Sequence, residues 1–390
     1  MSLIPIAGRF FVGYKSGIIL FSLTILLLSM VTANISLQTV RAATENQNQN
    51  QQFSVVQLQQ YDQAKNCVKN TALVPNMSEI LTNFNCGHTT FFQNGTTLRQ
   101  FTLIIEENHK LPISMKDDTN GTIFFPSWTF NSSIPGPIMR VTLGDKVQVK
   151  VINKGSMPHS LHMHSIHPGV VDGVPIVSGD SGLIPPGHQF IYNFTAAPVG
   201  IFPYHCHMSP IQEHINRGLY GGLIIDPPLD RARPAAHEIV MFLNGYDLAI
   251  KNTTYPRLPT AHEANQMMNG NTSIFDTINN EHDNAVYSVN GIANYYMHNP
   301  IPVKLNEPLR IYMFNMLDFE TNSFHLHGQV YDYYPSGTTA KPAFKTDMIM
   351  MDQGDRGIIE TVFHFPGKYM AHAHRDSVGG RGWSSLFSVS

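Results

Sequence analysis

The run His205-Cys206-His207 places one cysteine between two histidines, and it restricts the local structure more than any other part of the sequence. In an extended strand, residues i and i+2 share one face while residue i+1 points to the other. The two histidines would therefore face one side of a strand and the cysteine the opposite side. We predict a β-strand that serves two separate sites, one on each of its faces.

Ten of the nineteen histidines lie in four compact groups, most of them at this spacing. The groups are His159 with His162 and His164, His205 and His207 followed by His214, His325 with His327, and His372 with His374. By the same alternation, His162 and His164 share a face and His159 falls on the other. The first two groups therefore divide their side chains in the same way: His159 goes with Cys206, and His162 and His164 go with His205 and His207. Five other histidines have no partner at short spacing and are interpreted as structural or surface residues: His88, His109, His167, His188 and His364.

The residue types in these groups favour copper. Imidazole and thiolate suit copper and zinc, and one cysteine with two histidines is the ligand set of blue-copper sites. A structural zinc site typically uses four ligands and is then closed. Eight histidines directed to one place exceed what a single zinc ion could use.

Composition and pattern indicate an all-β protein. The chain of 390 residues contains 29 Gly, 25 Pro and only 14% charged residues, which suits short strands joined by many turns. Strand-like runs alternate with turns on both sides of a connector at 227–236 that is rich in proline and charge. We therefore predict two β-sandwich or barrel domains, at residues 99–230 and 231–390.

The segment before these domains predicts export. Residues 1–43 contain an apolar run that follows basic residues, as in a signal peptide, and its length also suits an uncleaved membrane anchor. Residues 44–98 form a polar linker and an N-terminal extension. Both a cleaved signal and a retained tether remain open, and either predicts an extracytoplasmic location.

Other features agree with an exported protein. Cys67 and Cys86 are expected to form a disulfide in an oxidising compartment. Seven sequons permit glycosylation there, at Asn76, Asn94, Asn120, Asn131, Asn193, Asn252 and Asn271. The net charge of −3 and the pI near 6.7 give no basic face, so we predict no nucleic-acid partner.

With these groups in place, the sequence resembles the multicopper oxidase family, specifically its two-domain, laccase-like branch found in bacteria and ammonia-oxidising archaea. The matching stretches are residues 128–137 (WTFNSSIPGP), residues 144–147 (GDKV) and all four histidine groups. They cover most of both predicted domains but not the N-terminal tail. The resemblance implies two cupredoxin-like Greek-key β-sandwiches.

The resemblance also implies a copper site for each histidine group. His159, Cys206 and His214 would hold a type 1 copper, with Leu219 in the axial position. Leucine cannot coordinate, which would leave this copper three-coordinate and favour a higher reduction potential. The remaining ligands would be His162 and His325 for the type 2 copper, His207, His327 and His372 for one type 3 copper, and His164, His205 and His374 for the other. Four copper ions per chain are expected.

Similar proteins assemble as homotrimers, in which domain 1 of one chain and domain 2 of its neighbour enclose the trinuclear cluster. The sequence fits this plan because each domain contributes four of the eight histidines. Two aspartates are candidates for delivering protons to reduced oxygen: Asp172, which resembles an acidic residue that family members place near the type 2 copper, and Asp376, just past His374. The alternative interpretation of each is a turn-forming aspartate, and this alternative is stronger for Asp376.

The predicted function is a copper-dependent oxidase that passes electrons from a donor, through the type 1 copper, to dioxygen. The donor is left open among small molecules, metal ions and a partner cupredoxin. The alternative enzyme is a copper nitrite reductase, whose catalytic copper needs only three histidines and leaves His207, His327, His372 and His374 without a common role. A simple electron-transfer cupredoxin or copper store needs no trinuclear ligands.

Overall fold

The computed structural model describes residues 54–63, 65, 67, 77–115, 121–248, 284–317 and 320–390. The predicted signal or anchor at 1–43 lies outside the described residues. Within the described ranges, no helix is long and apolar enough to cross a membrane.

Domain 1 is a sandwich of two five-stranded sheets. Its strands are β1 (Phe84–Asn85), β2 (His88–Phe91), β3 (Thr97–Pro112), β4 (Phe124–Phe130), β5 (Ile138–Thr142), β6 (Lys146–Asn153), β7 (His162–Met163), β8 (Gln189–Thr195), β9 (Gly200–His205) and β10 (Tyr220–Asp226). One sheet has the order β1-β5-β10-β9-β7, and the other has β2-β3-β6-β8 with β4 paired to β3.

Domain 2 repeats the sandwich. Its strands are β11 (His237–Tyr246), β12 (Val286–Val289), β13 (Ile301–Val303), β14 (Pro308–Asn315), β15 (Asn322–Leu326), β16 (Tyr331–Pro335), β17 (Phe344–Thr346), β18 (Met348–Met351), β19 (Arg356–Val362), β20 (Gly367–His372) and β21 (Ser384–Val389). The sheet orders are β12-β11-β14-β19-β16-β17 and β13-β21-β20-β15-β18.

The helices are short and peripheral to the sheets. They are α1 (Val55–Gln63), α2 (Met77–Ile80), α3 (Pro175–Ser178), α4 (Ile211–Asn216), α5 (Tyr295–His298) and α6 (Asp376–Gly379). The predicted all-β class with two cupredoxin-like domains is confirmed.

Three apolar cores hold the strands in place. Each domain has a core drawn from both of its sheets. A third core joins the domains, with β5, β9 and β10 packed against β11 and β14. Because these domain 1 strands are covered on both faces, they are continuously buried and show no polar alternation. At Gly222 the backbone lies so close to the rings of Phe242 and Phe314 that a Cβ would meet Phe314 at 2.8 Å.

The segment before residue 99 contributes to domain 1. Strand β1 pairs in parallel with β5, and β2 pairs with β3. Cys67 and Cys86 form the expected disulfide, with their Cα atoms 5.7 Å apart. Both cysteines lie in the extension, so the disulfide closes a loop within it, and strand pairing joins the extension to domain 1.

Candidate metal centres

The first centre lies inside domain 1 and consists of His159, Cys206 and His214, called here the type 1 set. The Nδ1 atoms of the two histidines are 3.1 Å apart, and Cys206 Sγ lies 3.1 Å from Nδ1 of His214 and 3.6 Å from Nδ1 of His159. All three side chains are fully buried. Three donor atoms thus converge on one point from the end of β9, from the segment before β7 and from α4.

The surroundings of the type 1 set are apolar. Leu219 is fully buried, and its carbonyl accepts the backbone N–H of Cys206, which places the leucine directly across from the cysteine. The Trp128 ring stands edge-on to the rings of both histidines, at centroid distances of 5.6 and 4.9 Å. Within the described part of the chain, the buried Nε2 of His214 has no hydrogen-bond partner.

Burial keeps the type 1 set uncharged when no cation is present. It raises the pKa of the Cys206 thiol to about 11, and it lowers the pKa of His214 to about 3. Burial also lowers the pKa of His159, although Glu107 partly opposes this. Neutral imidazoles are the form that binds metal, and a bound cation would displace the thiol proton. The donor atoms and their protonation therefore fit copper.

The second centre is a half-site in domain 1, formed by His162, His164, His205 and His207, and is called here half-site 1. The Nε2 atoms of His164 and His205 are 3.1 Å apart. The ring of His162 lies 5.1 to 5.3 Å from the rings of the other three. The predicted strand is shorter than expected, because β9 ends at His205, and Cys206 and His207 follow it directly. The rings of His205 and His207 nevertheless stack on one side of the chain, opposite the Cys206 thiol of the type 1 set.

Domain 2 carries the corresponding half-site 2, formed by His325, His327, His372 and His374. The Nε2 atoms of His327 and His372 are 2.9 Å apart, and the ring of His325 lies 4.7 to 5.7 Å from the other three rings. The side chains of His327 and His374 are exposed. The register that pairs His325 with His372 in neighbouring strands brings the two histidine groups together.

Backbone carbonyls fix the orientation of four of these imidazoles. In each case the ring Nδ1 donates to a backbone carbonyl at 2.7 to 3.2 Å. The pairs are His162 with Asp172, His205 with Cys206, His325 with Asp347, and His372 with Ala373. Each bond leaves Nε2 as a free lone pair directed into its half-site. Ligand histidines in metal sites usually have their second nitrogen tied in this way.

Burial also disfavours charge on His164 and His205 of half-site 1. It lowers the pKa of His164 to about 4, with His162 as the next cause, and it lowers the pKa of His205 well below the usual value. In each half-site one pair of Nε2 atoms lies at close range, His164 with His205 and His327 with His372, an arrangement that suits a shared cation. Both half-sites fit copper by donor type and tautomer.

The two half-sites do not meet within one chain. Among the described residues, no ring contact joins an imidazole of half-site 1 to an imidazole of half-site 2. The turn at Gly354 in domain 2 lies close to His164, since a Cβ there would be 3.2 Å from the imidazole.

Of the two candidate aspartates, one lies at a half-site. Asp172 Oδ1 is 3.2 Å from Nδ1 of His162 and 3.3 Å from Nδ1 of His167. Asp376 is exposed and begins α6, two residues after His374. Our interpretation of His167 as an isolated structural residue missed this contact with Asp172.

His167 lies against Asp172, although its buried Nδ1 makes no hydrogen bond within the described part of the chain. Its Nε2 accepts the backbone N–H of Met163 at 2.8 Å, so Nδ1 carries the hydrogen in the neutral ring and faces the carboxylate. His162, His167 and Asp172 each offer one possible ligand atom, and these three atoms lie within 4.8 Å of one another. The sequence places His167 only five residues after His162, but this spacing matches no strand periodicity and therefore did not indicate that the two histidines lie together.

Sequence reasoning also missed Glu107, which bonds to the type 1 set. Its Oε1 lies 2.9 Å from Nε2 of His159, and its side chain is only 5% exposed. Burial raises the pKa of Glu107, but hydrogen bonds from Ser156, His159 and Met157 outweigh it and hold the pKa at about 2. The available signal was a carboxylate at the next inward-facing position after Leu103 and Ile105 in β3.

Comparison with known families agrees with these centres. Two multicopper oxidase family models match the chain, one at residues 114–230 and the other at residues 254–390. A solved multicopper oxidase is 36% identical, with a TM-score of 0.66, and the match covers 81% of this chain and 97% of that one. A blue copper oxidase from Nitrosomonas europaea is 25% identical, with a TM-score of 0.59 and coverage of 75% and 86%.

Two further relatives differ in their activities. A copper-containing nitrite reductase from Neisseria meningitidis serogroup A is 24% identical over 63% of this chain and 59% of its own length. An L-ascorbate oxidase from Cucurbita maxima is 38% identical over 28% of this chain and 18% of its own length. The chain thus spans less than two thirds of either relative.

The matched models cover most of the chain, and a buried Cys-His-His set stands back to back with a cluster of histidines. The chain therefore belongs to the multicopper oxidase family, as a two-domain copper oxidoreductase.

Proposed function

We propose that this protein couples one-electron oxidation of a donor at the type 1 set to four-electron reduction of dioxygen to water at a cluster formed by half-sites 1 and 2. The observation that carries the proposal is the position of Cys206. Its thiol lies in the type 1 set, while its two chain neighbours, His205 and His207, lie in half-site 1. One short stretch of backbone therefore joins the two centres.

Copper, when bound, would supply the one-electron redox chemistry of the type 1 set and the oxygen chemistry of the two half-sites. The protein supplies geometry and connection. Cys206 links the centres by covalent bonds, and its carbonyl accepts a hydrogen bond from Nδ1 of His205 at 3.0 Å. Apolar packing by Leu219 and Trp128 excludes water from the type 1 set.

We assign proton delivery to Asp172. Its carboxylate lies against His162, which matches a type 2 ligand, and its Oδ1 is 3.3 Å from Nδ1 of His167. It is partly exposed, so it can exchange protons with solvent. Asp376 stays a second candidate because it adjoins His374.

The nitrite reductases among the relatives favour a second candidate function, nitrite reduction at a single copper. That reaction requires three histidines, whereas two half-sites of four histidines each are present. His207 and His374 separate the two functions, because only the oxidase reaction needs both.

The deciding experiment compares His207→Ala and His374→Ala with the unmodified protein. Oxygen uptake, nitrite reduction and copper content are measured on the same samples. In both variants we expect blue absorption to persist, because the type 1 set is untouched, and oxygen uptake to fall to near background. His188→Ala is the control, since this histidine is exposed and its ring bonds to the nearby Pro186 carbonyl. The proposal is contradicted if oxygen reduction survives both changes, or if the native protein reduces nitrite but not oxygen.

Two finer properties are part of the same proposal. We assign four copper ions to each chain, one in the type 1 set and three shared between half-sites, and a homotrimer in which each cluster lies between two chains. Copper analysis per chain and sedimentation test these directly. A four-copper monomer with full activity would contradict the trimer.

The donor and the location are also proposed. The donor is a small molecule, a metal ion or a partner cupredoxin, and oxygen uptake with a panel of these identifies its class.

We place the protein outside the cytoplasm, cleaved or tethered through residues 1–43, which the Cys67–Cys86 disulfide supports. Among the described sequons, Asn94 and Asn193 are exposed, whereas Nδ2 of Asn131 donates to the Thr102 carbonyl. Cell fractionation and mass analysis of the mature chain test the location and glycosylation.

A further inference from the structure

We propose that Glu107 is a positioning residue for His159 that lowers the reduction potential of the type 1 copper. The inference rests on the proposed role of the type 1 set. It concerns a residue that belongs to none of the four histidine groups and approaches the site from β3.

A bulge in β3 directs Glu107 toward the site. The pairing of β3 with β4 shifts register between Glu106 and His109, so that Glu107 and Asn108 lie opposite the single residue Trp128. Asn108 adopts a positive φ of 62°, which turns the chain at this point. Bulges are frequent beside active sites because they redirect one side chain without ending the strand.

A loop closes over the carboxylate from the other side. Ser156 Oγ donates to Oε2 at 2.6 Å, and the backbone N–H of Met157 donates to Oε1 at 3.0 Å. A Cβ at Gly155 would collide with the Glu107 carboxylate and displace it, so glycine leaves room for the carboxylate here. Asn153 is fully buried and ties this loop at both ends, accepting from the Gly155 N–H and donating to the Met157 carbonyl.

These contacts define the charge and the tautomer. Both Ser156 and Met157 donate to Glu107, so the carboxylate acts as the acceptor, and the third partner, Nε2 of His159, must also donate. A hydrogen on Nε2 leaves the lone pair on Nδ1, the atom that faces Cys206 and His214. The carboxylate thus selects the tautomer of His159 that can bind the copper.

The buried negative charge also acts on redox equilibrium. A carboxylate bonded to a ligand imidazole makes that ligand more basic and favours the more positive, oxidised metal. The leucine at the axial position acts in the opposite direction, since it leaves the copper without a fourth donor. Glu107 therefore sets the potential below the value that the three ligands and Leu219 would give alone.

The test is Glu107→Gln, which keeps the shape and an oxygen acceptor but removes the charge. The type 1 potential is measured by spectroelectrochemical titration of the blue band in the copper-loaded protein. We expect the blue band to remain and the equilibrium to shift toward the reduced form by at least tenfold, which is about 59 mV for a one-electron couple. Glu106→Gln is the matched control, because Glu106 points away toward Ser132 and Lys154.

An unchanged potential in a blue Glu107→Gln protein overturns the proposal. If that variant does not fold or bind copper, Ser156→Ala decides instead. Removing this donor leaves more charge on the carboxylate, so the potential should shift in the opposite direction, and no shift or a rise contradicts the inference. Failure of the proposed function is distinguishable, because the unmodified protein would then lack the blue band or oxygen uptake.

Discussion

The type 1 set and the two half-sites use the same residue type but differ in where they are completed. The type 1 set is fully buried, and one domain supplies every ligand. The half-sites each present four histidines, with His327 and His374 exposed, and they make no mutual contact within the described chain. A site inside one core forms when that domain folds, whereas a site divided between surfaces forms only when those surfaces meet.

The largest expected effect is at the buried site. Cys206→Ser keeps the size of the side chain but replaces the thiolate that characterises blue copper. We expect complete loss of the intense visible band and of donor oxidation, while the unfolding temperature of the metal-free protein stays close to the native value. A blue Cys206→Ser protein would show that the cysteine assignment is wrong.

The divided site can be tested by mixing damaged chains. One variant carries His205→Ala and His207→Ala, and the other carries His372→Ala and His374→Ala. Each alone should lack oxygen uptake, but co-expression should restore a substantial fraction, because a trimer can place an intact half-site 1 against an intact half-site 2 of its neighbour. Separately purified proteins mixed without reassembly are the control. Absence of recovery in co-assembled trimers would place the cluster within one chain.

A smaller effect is expected beside half-site 1. Asp172→Asn should slow oxygen reduction by about 10–100-fold, the usual cost of changing a residue that supports metal ligands, and leave the blue band intact. Asp376→Asn is the comparison, and we expect it to have the weaker effect because Asp376 makes no described contact with a ligand histidine beyond its position in the chain. A larger loss in the Asp376 variant would reverse the assignment.

The smallest effect concerns the stability of the metal-free protein in acid. Burial lowers the pKa of His214 from 6.5 to about 3, so between these values the unfolded chain binds more protons than the folded one. The free energy of unfolding therefore falls as the pH falls, by about 2 kcal/mol between pH 7 and pH 5 for this one group. Urea unfolding with a chelator present should show His214→Gln losing less stability than the native protein. His188→Gln is the control, and equal slopes in all three proteins would contradict the expectation.

The sequence by itself determined the strand that serves two sites. Strand alternation is a local rule, so the spacing of His205, Cys206 and His207 was enough to separate the type 1 set from half-site 1. The same rule grouped His325 with His327 and His372 with His374, and the register of β15 and β20 then brings these pairs together. The all-β class followed from turn residues and short apolar runs, which are also local.

Only the tertiary structure decided the contacts that depend on bulges, loops and folding across domains. Glu107 reaches His159, 52 positions along the chain, because a bulge and a loop over the carboxylate bring them together. His167 reaches Asp172 through a turn whose spacing follows no strand period. The burial of β5, β9 and β10 on both faces depends on domain 2 packing against them. Periodicity describes one element at a time, whereas these contacts arise from the positions of several elements in space.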